Sequence, residues 1–232
     1  MNDAWLINIG NTHTRLARLA AGKLMPPQLV TTAAVLQGQP LPGVAEGPAL
    51  PLIGACVVPA ARDLVSRQFQ QTHWLSPELA SGLNLGLVDS STLGADRLAN
   101  AIAACHELIL PAVVLDCGTA LTTVVVDVHR RLLGGAILAG RAMLRRALHT
   151  VTGQLPELPL TSDCPGAIGR NTRDALLAGI DLGILGTVQQ VLEKTRQELQ
   201  LPALQVIAIG GDAPFFTQHL ERVISGPTDF TL

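Results

Sequence analysis

The chain has 232 residues, of which 48% are hydrophobic, 15% charged and 3% aromatic, and its formal net charge is −2. That balance supports a sizeable buried core and excludes a disordered chain. With no basic stripe and no tyrosine, a nucleic-acid partner held by charge or by base stacking is not expected. Cys56, Cys105, Cys117 and Cys164 are widely spaced, without a CxxC pair or a Cys/His cluster. Structural zinc and a disulfide framework are therefore not expected, and reduced thiols of a cytoplasmic protein are. The N-terminus lacks the basic flank and long apolar run of a signal peptide. The most apolar stretch, 176–192, is interrupted by Asp181, Gln189 and Gln190, so no membrane span is expected.

The length suits one large domain or two small ones. In chain order, residues 5–35 predict two or three strands in hairpins, broken at Gly10, Gly22 and Pro26-Pro27. Residues 37–51, rich in Gly and Pro, predict a loop or surface insertion. A short strand over 52–58 is closed by Pro59, a short helix follows over 62–70, and 74–93 reads as irregular. Leu98, Ala101, Ile102, Cys105, Leu108 and Ile109 fall on one face at helical spacing. They predict the strongest helix, capped by Ser90, Ser91 or Thr92 and ended by Pro111. A second hairpin set spans 112–139, with a turn near His129-Arg130-Arg131 and a break at Gly134-Gly135. Then come a short basic helix over 141–151, a proline-marked loop, and a long helix over 171–200. A strand over 205–209 ends in Gly210-Gly211, and a last helix over 214–222 precedes a short tail strand. Each half reads ββ(β)αβα, which predicts an α/β protein of two duplicated lobes, residues 1–111 and 112–232, facing each other across a cleft.

Two stretches carry chemistry. Asn8-Ile9-Gly10-Asn11-Thr12-His13-Thr14 and Asp116-Cys117-Gly118-Thr119-Ala120-Leu121-Thr122 each follow an apolar run and lead into a further strand. Glycine lets backbone N–H groups approach a phosphate, and Asn and Thr add donors. A carboxylate such as Asp116 can hold the hydrated Mg2+ that accompanies nucleotide phosphates, whereas Asn8 is neutral. Taken alone, each turn is equally an ordinary hairpin. GxxxxGK(S/T) is absent, as is GxGxxG after a strand, which weakens P-loop and Rossmann readings. Asp96, within Gly94-Ala95-Asp96-Arg97, opens the strongest helix, where the helix dipole favours an acid. It reads as a plain first-turn acid, or as a base if a substrate hydroxyl lies beside it. Asn171-Thr172 reads as an N-cap. Gly179, Gly183 and Gly186 weaken their helix and suggest close backbone packing, within the chain or across a dimer. Gly210-Gly211 suits either a turn or a flat adenine against the backbone.

Taken in order, NIGNT at 8–12, GADRLANAIAA at 94–104, DCGTALTT at 116–123, GGAILAG at 134–140, IGRNT at 168–172 and IAIGGDAP at 207–214 resemble type III pantothenate kinases. That family includes Bvg accessory factor-like proteins and lies in the superfamily of actin-like ATPases and sugar kinases. The resemblance implies two RNase H-like lobes around a nucleotide cleft, and ATP-dependent phosphorylation of the primary hydroxyl of pantothenate, the first step towards coenzyme A. It implies that Asn8, Ile9, Gly10, Asn11, Thr12, His13, Thr14 and Thr119 hold the ATP phosphates with Mg2+. It implies that Asp116 binds a monovalent cation (potassium or ammonium) and that Asp96 accepts the hydroxyl proton. Gly94, Ala95, Asp96, Arg97 and Thr172 would line the pantothenate site, and a homodimer would form around the glycine-bearing helix. The chain departs from the family's pattern at Asn8, where the family carries Asp, and in 85–91, where the family carries an aromatic. Two other readings stay open: a Bvg accessory-type regulator with weakened catalysis, and a kinase of another small hydroxy compound.

Overall fold

In the computed structural model, residues 3–44, 49–80, 82–201 and 204–232 are described. Part of the predicted insertion, 45–48, lies outside them. The chain forms two compact units: Met1–Glu107 with Arg130–Leu132 and Asp229–Leu232, and Leu108–His129 with Leu133–Thr228.

The first unit opens with β1 (Ala4–Ile9), β2 (His13–Ala20), β3 (Lys23–Leu24) and β4 (Gln28–Thr31), followed by α1 (Thr32–Leu36). The strand pattern predicted over 5–35 holds as far as Thr31, with four strands where two or three were expected. There the Thr31 hydroxyl accepts from the Ala34 N–H and starts a helix where continued strand was expected. Then come β5 (Leu52–Cys56), α2 (Pro59–Ser66), β6 (Thr72–Trp74) and α3 (Ala95–Glu107). Pro59 closes the strand as expected, and it also begins the helix, earlier than predicted, since its fixed φ and missing N–H suit a first helical position. Strand β6, of which only Trp74 falls in the stretch read from sequence as irregular, is a three-residue edge strand carried by pairing with β5. The sheet order is β3-β2-β1-β5-β6, with β4 paired to β2; β1, β5 and β6 run parallel. Trp5, Ile7, Ile9, Leu16, Leu52 and Val65 form its core.

The second unit repeats the scheme. β7 (Ala112–Cys117) and β8 (Ala120–Val126) form an antiparallel hairpin flanked by β9 (Leu132–Gly134) and β10 (Ile137–Ala139). After α4 (Arg141–Val151) comes α5 (Thr172–Leu177), a π-helical turn (Ala178–Leu182) and α6 (Gly183–Leu199). β11 (Gln205–Ile209), α7 (Ala213–His219) and β12 (Val223–Ser225) complete it. The order is β10-β8-β7-β11-β12, with β7, β11 and β12 parallel. In each sheet an antiparallel hairpin is extended by two parallel strands on its first member, the arrangement of a duplicated fold. β7 is buried on both faces, which is why Ala112 to Leu115 read as an unbroken apolar run.

Thr172–Leu199 is one helix of 28 residues, long and apolar enough by length and composition to cross a membrane. Its buried face instead packs into the core of this unit through Ile184, Leu185, Val188 and Leu192, and Asp181 forms buried ion pairs there. A Cβ added at Gly179, Gly183 or Gly186 would meet no atom within 4 Å. Close packing of these glycines within the chain, one of the two expected explanations, is thus overturned.

Candidate functional site

In the first unit, the turn after β1 is tight because Gly10 N–H donates to the His13 carbonyl at 3.0 Å. The turn rests on a residue that the sequence reading passed over. The Thr32 hydroxyl donates to the Gly10 carbonyl at 2.6 Å and lies 3.1 Å from the Thr14 hydroxyl, while Thr32 N–H donates to Thr12 O. Thr14 and Thr32 are buried. Of the residues 8–14, Ile9 and Thr14 therefore face the core, while Asn11, Thr12 and His13 are exposed. Asn8 is half-buried, opposite Arg15 on β2 and Ala55 on β5. The signal for Thr32 was the Thr31-Thr32 pair ahead of a run of good helix formers.

The same edge carries the start of α3. Val57 N–H donates to the Ile9 carbonyl at 3.0 Å, continuing β5 alongside the first turn, and α3 packs on β5. Gly94 lies against Val57 and Asp96: a Cβ on Gly94 would stand 2.6 Å from Asp96 Oδ1. Asp96 Oδ1 accepts the Arg97 N–H at 2.8 Å, which fixes the carboxylate at the helix N-terminus, half-buried. Ser90, Ser91 and Thr92 do not cap α3 as expected. They form a short 3-10 turn whose own cap is Asp89. Arg97 is half-buried, and its Nε–H is buried without a hydrogen-bond partner. This unit thus gathers an exposed glycine turn, a fixed carboxylate and a guanidinium donor on the edge where β1 and β5 end.

In the second unit, Gly118 N–H donates to the Ala120 carbonyl at 3.2 Å and closes the second turn. The two turns differ by one residue in register, since Asn8 pairs with Arg15 whereas Asp116 pairs with Thr122. Shared spelling therefore does not give shared side-chain directions. Two other segments press on the second turn. Gly140 N–H donates to Thr119 O at 3.0 Å, and Asp212 N–H donates to Cys117 O at 3.1 Å. Gly210 has φ +92°, and a Cβ there would stand 2.7 Å from Cys117 O and 2.9 Å from Asp116 Oδ1. Only glycine meets both the backbone angle and the close approach. Burial and the neighbouring Asp116 and Asp212 carboxylates push the Cys117 thiol well above its usual range, so it is a small packing residue and no thiolate nucleophile. Burial also raises Asp212, opposed by the Arg141 guanidinium.

Arg141 and Asp212 were missed by sequence reasoning. Their signal was position, directly after the GGAILAG and IGG motifs. Asp116 Oδ1 and the Cys117 carbonyl oxygen both lie against Gly210, and oxygen donors of this kind suit a hard, partly hydrated cation. Among the described residues no group of three or more His, Cys, Asp and Glu is placed to hold a metal.

Thr172 belongs to the second unit. It is the first residue of α5, with Asn171 as N-cap through its Oδ1 and the Asp174 N–H at 2.9 Å, as the sequence predicted. Thr172 lines an open apolar groove of about 770 Å3 with Leu144, Leu148, Ile180, Ile184 and the exposed Gly179 and Gly183.

A family profile described as type III pantothenate kinase matches residues 5–194. A type III pantothenate kinase of Rubrobacter xylanophilus is 31% identical, covering 97% of this chain and 93% of the relative. One of Rhodospirillum rubrum is 34% identical, covering 85% and 79%. Among solved structures, a Baf-family protein from Campylobacter jejuni aligns with TM-score 0.65 at 21% identity, over 96% of this chain and 90% of that one. Component A of (R)-2-hydroxyglutaryl-CoA dehydratase from Acidaminococcus fermentans aligns with TM-score 0.52 at 11% identity, over 100% and 95%. These likenesses show the fold alone: an α/β chain of two lobes with the same strand order.

Proposed function

This chain belongs to the type III pantothenate kinase family, and from that premise we propose that it transfers the γ-phosphoryl group of ATP to the primary hydroxyl of pantothenate, giving 4'-phosphopantothenate for coenzyme A synthesis. The observation that carries the chemistry is the start of α3. There a carboxylate held by its own helix N-terminus shares a sheet edge with a glycine turn whose polar residues are exposed.

Phosphoryl transfer needs positioning and charge neutralisation more than a strong base. Asp96 accepts the hydroxyl proton as the oxygen attacks phosphorus. The unpartnered Nε–H of Arg97 and the rest of its guanidinium suit the pantothenate carboxylate. In the first unit, the Asn11 and Thr12 backbone N–H groups and side chains suit phosphate oxygens, and in the second unit the Thr119 N–H and hydroxyl do. Asp116 and adjacent carbonyl oxygens would hold a potassium or ammonium ion. Mg2+ would ride on the phosphates, supplying charge neutralisation there when bound. We place the protein in the cytoplasm, without a nucleic-acid or membrane partner. We also assign it a homodimer through the groove beside Thr172, where the exposed Gly179 and Gly183 leave room for a neighbour's side chains.

The test is an ATP-coupled assay with Mg2+, potassium and pantothenate. Asp96→Asn is expected to lower kcat by about 10²-fold or more, with ATP binding retained. Wild-type turnover no greater than that of Asp96→Asn would overturn the proposal.

Asn8 favours a second reading, a binding protein of the Bvg accessory type, since a neutral amide stands where the family carries a carboxylate. Asn8→Asp separates the two. Turnover restored from nothing supports the binding role, and substantial turnover in the unaltered chain supports the kinase.

A further inference from the structure

The Asp116–Thr119 turn is gripped from two sides, and one side chain joins the grips. On one side is Gly140, bonded to the Thr119 carbonyl; on the other is Asp212, bonded to the Cys117 carbonyl. Arg141 follows Gly140 directly, and its Nη1 donates to Asp212 Oδ1 at 2.8 Å. Nε donates to Asp181 Oδ1 at 2.9 Å and Nη2 to the Thr161 carbonyl at 2.8 Å. Cζ lies 3.4 Å from the centroid of the Phe215 ring. The side chain is fully buried, so the guanidinium has three fixed acceptors, an aromatic floor and no water-facing alternative. Asp181, in the π-helical turn, is shared with Arg145, whose Nη2 lies 2.8 Å from both carboxylate oxygens and whose Nη1 donates to the Pro159 carbonyl.

Buried ion pairs contribute little net stability compared with a well-packed apolar substitute, but they do hold groups in one arrangement. A planar guanidinium can serve three separate acceptors at set angles, which an ammonium cannot. Here the arrangement held is the spacing between Gly140 and Asp212, and hence the shape of the turn between them.

We propose that Arg141, through Asp212, is a positioning residue for ATP binding: it braces the Asp116–Thr119 turn so that the Thr119 N–H and hydroxyl stay aimed at the phosphates. This rests on the kinase reading above. Arg145 is the natural comparison, because it shares Asp181 and the 159–161 segment but does not touch Asp212.

The experiment measures KM for ATP, KM for pantothenate, kcat and Tm in Arg141→Met, Arg141→Lys, Asp212→Asn and Arg145→Gln. Arg141→Met and Asp212→Asn are expected to raise KM for ATP about tenfold, the loss of one charge-assisted bond. KM for pantothenate should stay within about twofold, and Arg141→Lys should fall between Arg141→Met and wild type. Arg145→Gln should lower Tm and leave KM for ATP within about twofold. Asp212→Asn is isosteric at the edge of the cluster, so it remains informative if Arg141→Met does not fold. Unchanged KM for ATP in Asp212→Asn, or an equal rise in Arg145→Gln, overturns the proposal. If wild type shows no turnover, the kinase reading fails by itself. The brace is then read by hydrogen exchange, where faster exchange at 117–120 and 210–213 in Asp212→Asn but not Arg145→Gln supports it and equal exchange overturns it.

Discussion

Gly140→Ala isolates the steric part of the second turn. Gly140 has φ −69° and ψ 162°, angles that alanine adopts freely, so backbone strain does not enter. A Cβ there would stand 2.6 Å from the Thr119 carbonyl oxygen and 3.2 Å from its carbon, and closer still to the Gly118 carbonyl oxygen. All of these are backbone atoms, which cannot rotate away as a side chain can, so the turn itself must move. Overpacking of this kind costs about 1–3 kcal/mol, and the upper part of that range applies where backbone obstructs. In a protein of this size that is a fall in Tm of roughly 4–10 °C. Because the displaced atoms carry the proposed phosphate donors, KM for ATP should rise with the loss of stability. Gly186→Ala is the counterpart: exposed, within α6, with nothing within 4 Å of the added carbon. It should raise stability by about 0.5–1 kcal/mol and leave kinetics alone. Thermal unfolding and ATP-dependent initial rates measure both. A Gly140→Ala protein with wild-type Tm and wild-type KM for ATP would refute the close approach of Gly140 to this turn.

Thr32→Val removes the donor to the Gly10 carbonyl and leaves the buried Thr14 hydroxyl short of a partner. Urea unfolding should show a loss of about 1–3 kcal/mol, and KM for ATP should rise; a neutral outcome would remove Thr32 from the site. In the native protein the exposed Cys164 should react with iodoacetamide at pH 8, while Cys117 should not, being buried and its thiol pushed up. Mass spectrometry of the labelled peptides checks this, and prompt labelling of Cys117 would contradict its burial. Gly183→Leu fills part of the apolar groove beside Thr172 without meeting an atom of the chain within 4 Å of the new Cβ. Light scattering should find the proposed dimer weakened while Tm at high concentration stays close to wild type; an unaltered mass would place the interface elsewhere.

Much of the fold was legible because its signals are local. The apolar run of β7 marks a strand buried on both faces, and Asn171 marks the start of the long helix through its own side chain. Elements failed where their stability comes from distant partners. Strand β6 has three residues and exists through pairing with β5. The Thr31 cap overrode an apparently continuing strand within one residue.

The site divides the same way. By itself, the sequence determined which chemical groups are present and in what order: two glycine turns, an acid opening a helix, glycines after a strand. Each is a short-range pattern written in adjacent residues. Only the tertiary structure decided what holds those turns. Thr32 supports the first, Gly140 and Gly210 fit against the second, and Arg141 reaches Asp212, 71 positions away, to join the grips. Tertiary pairing also decided that the two turns differ by one residue in register, because strand pairing, not spelling, sets which side chain faces which. Such contacts depend on where the sheet brings distant backbone together, and no local pattern encodes that distance.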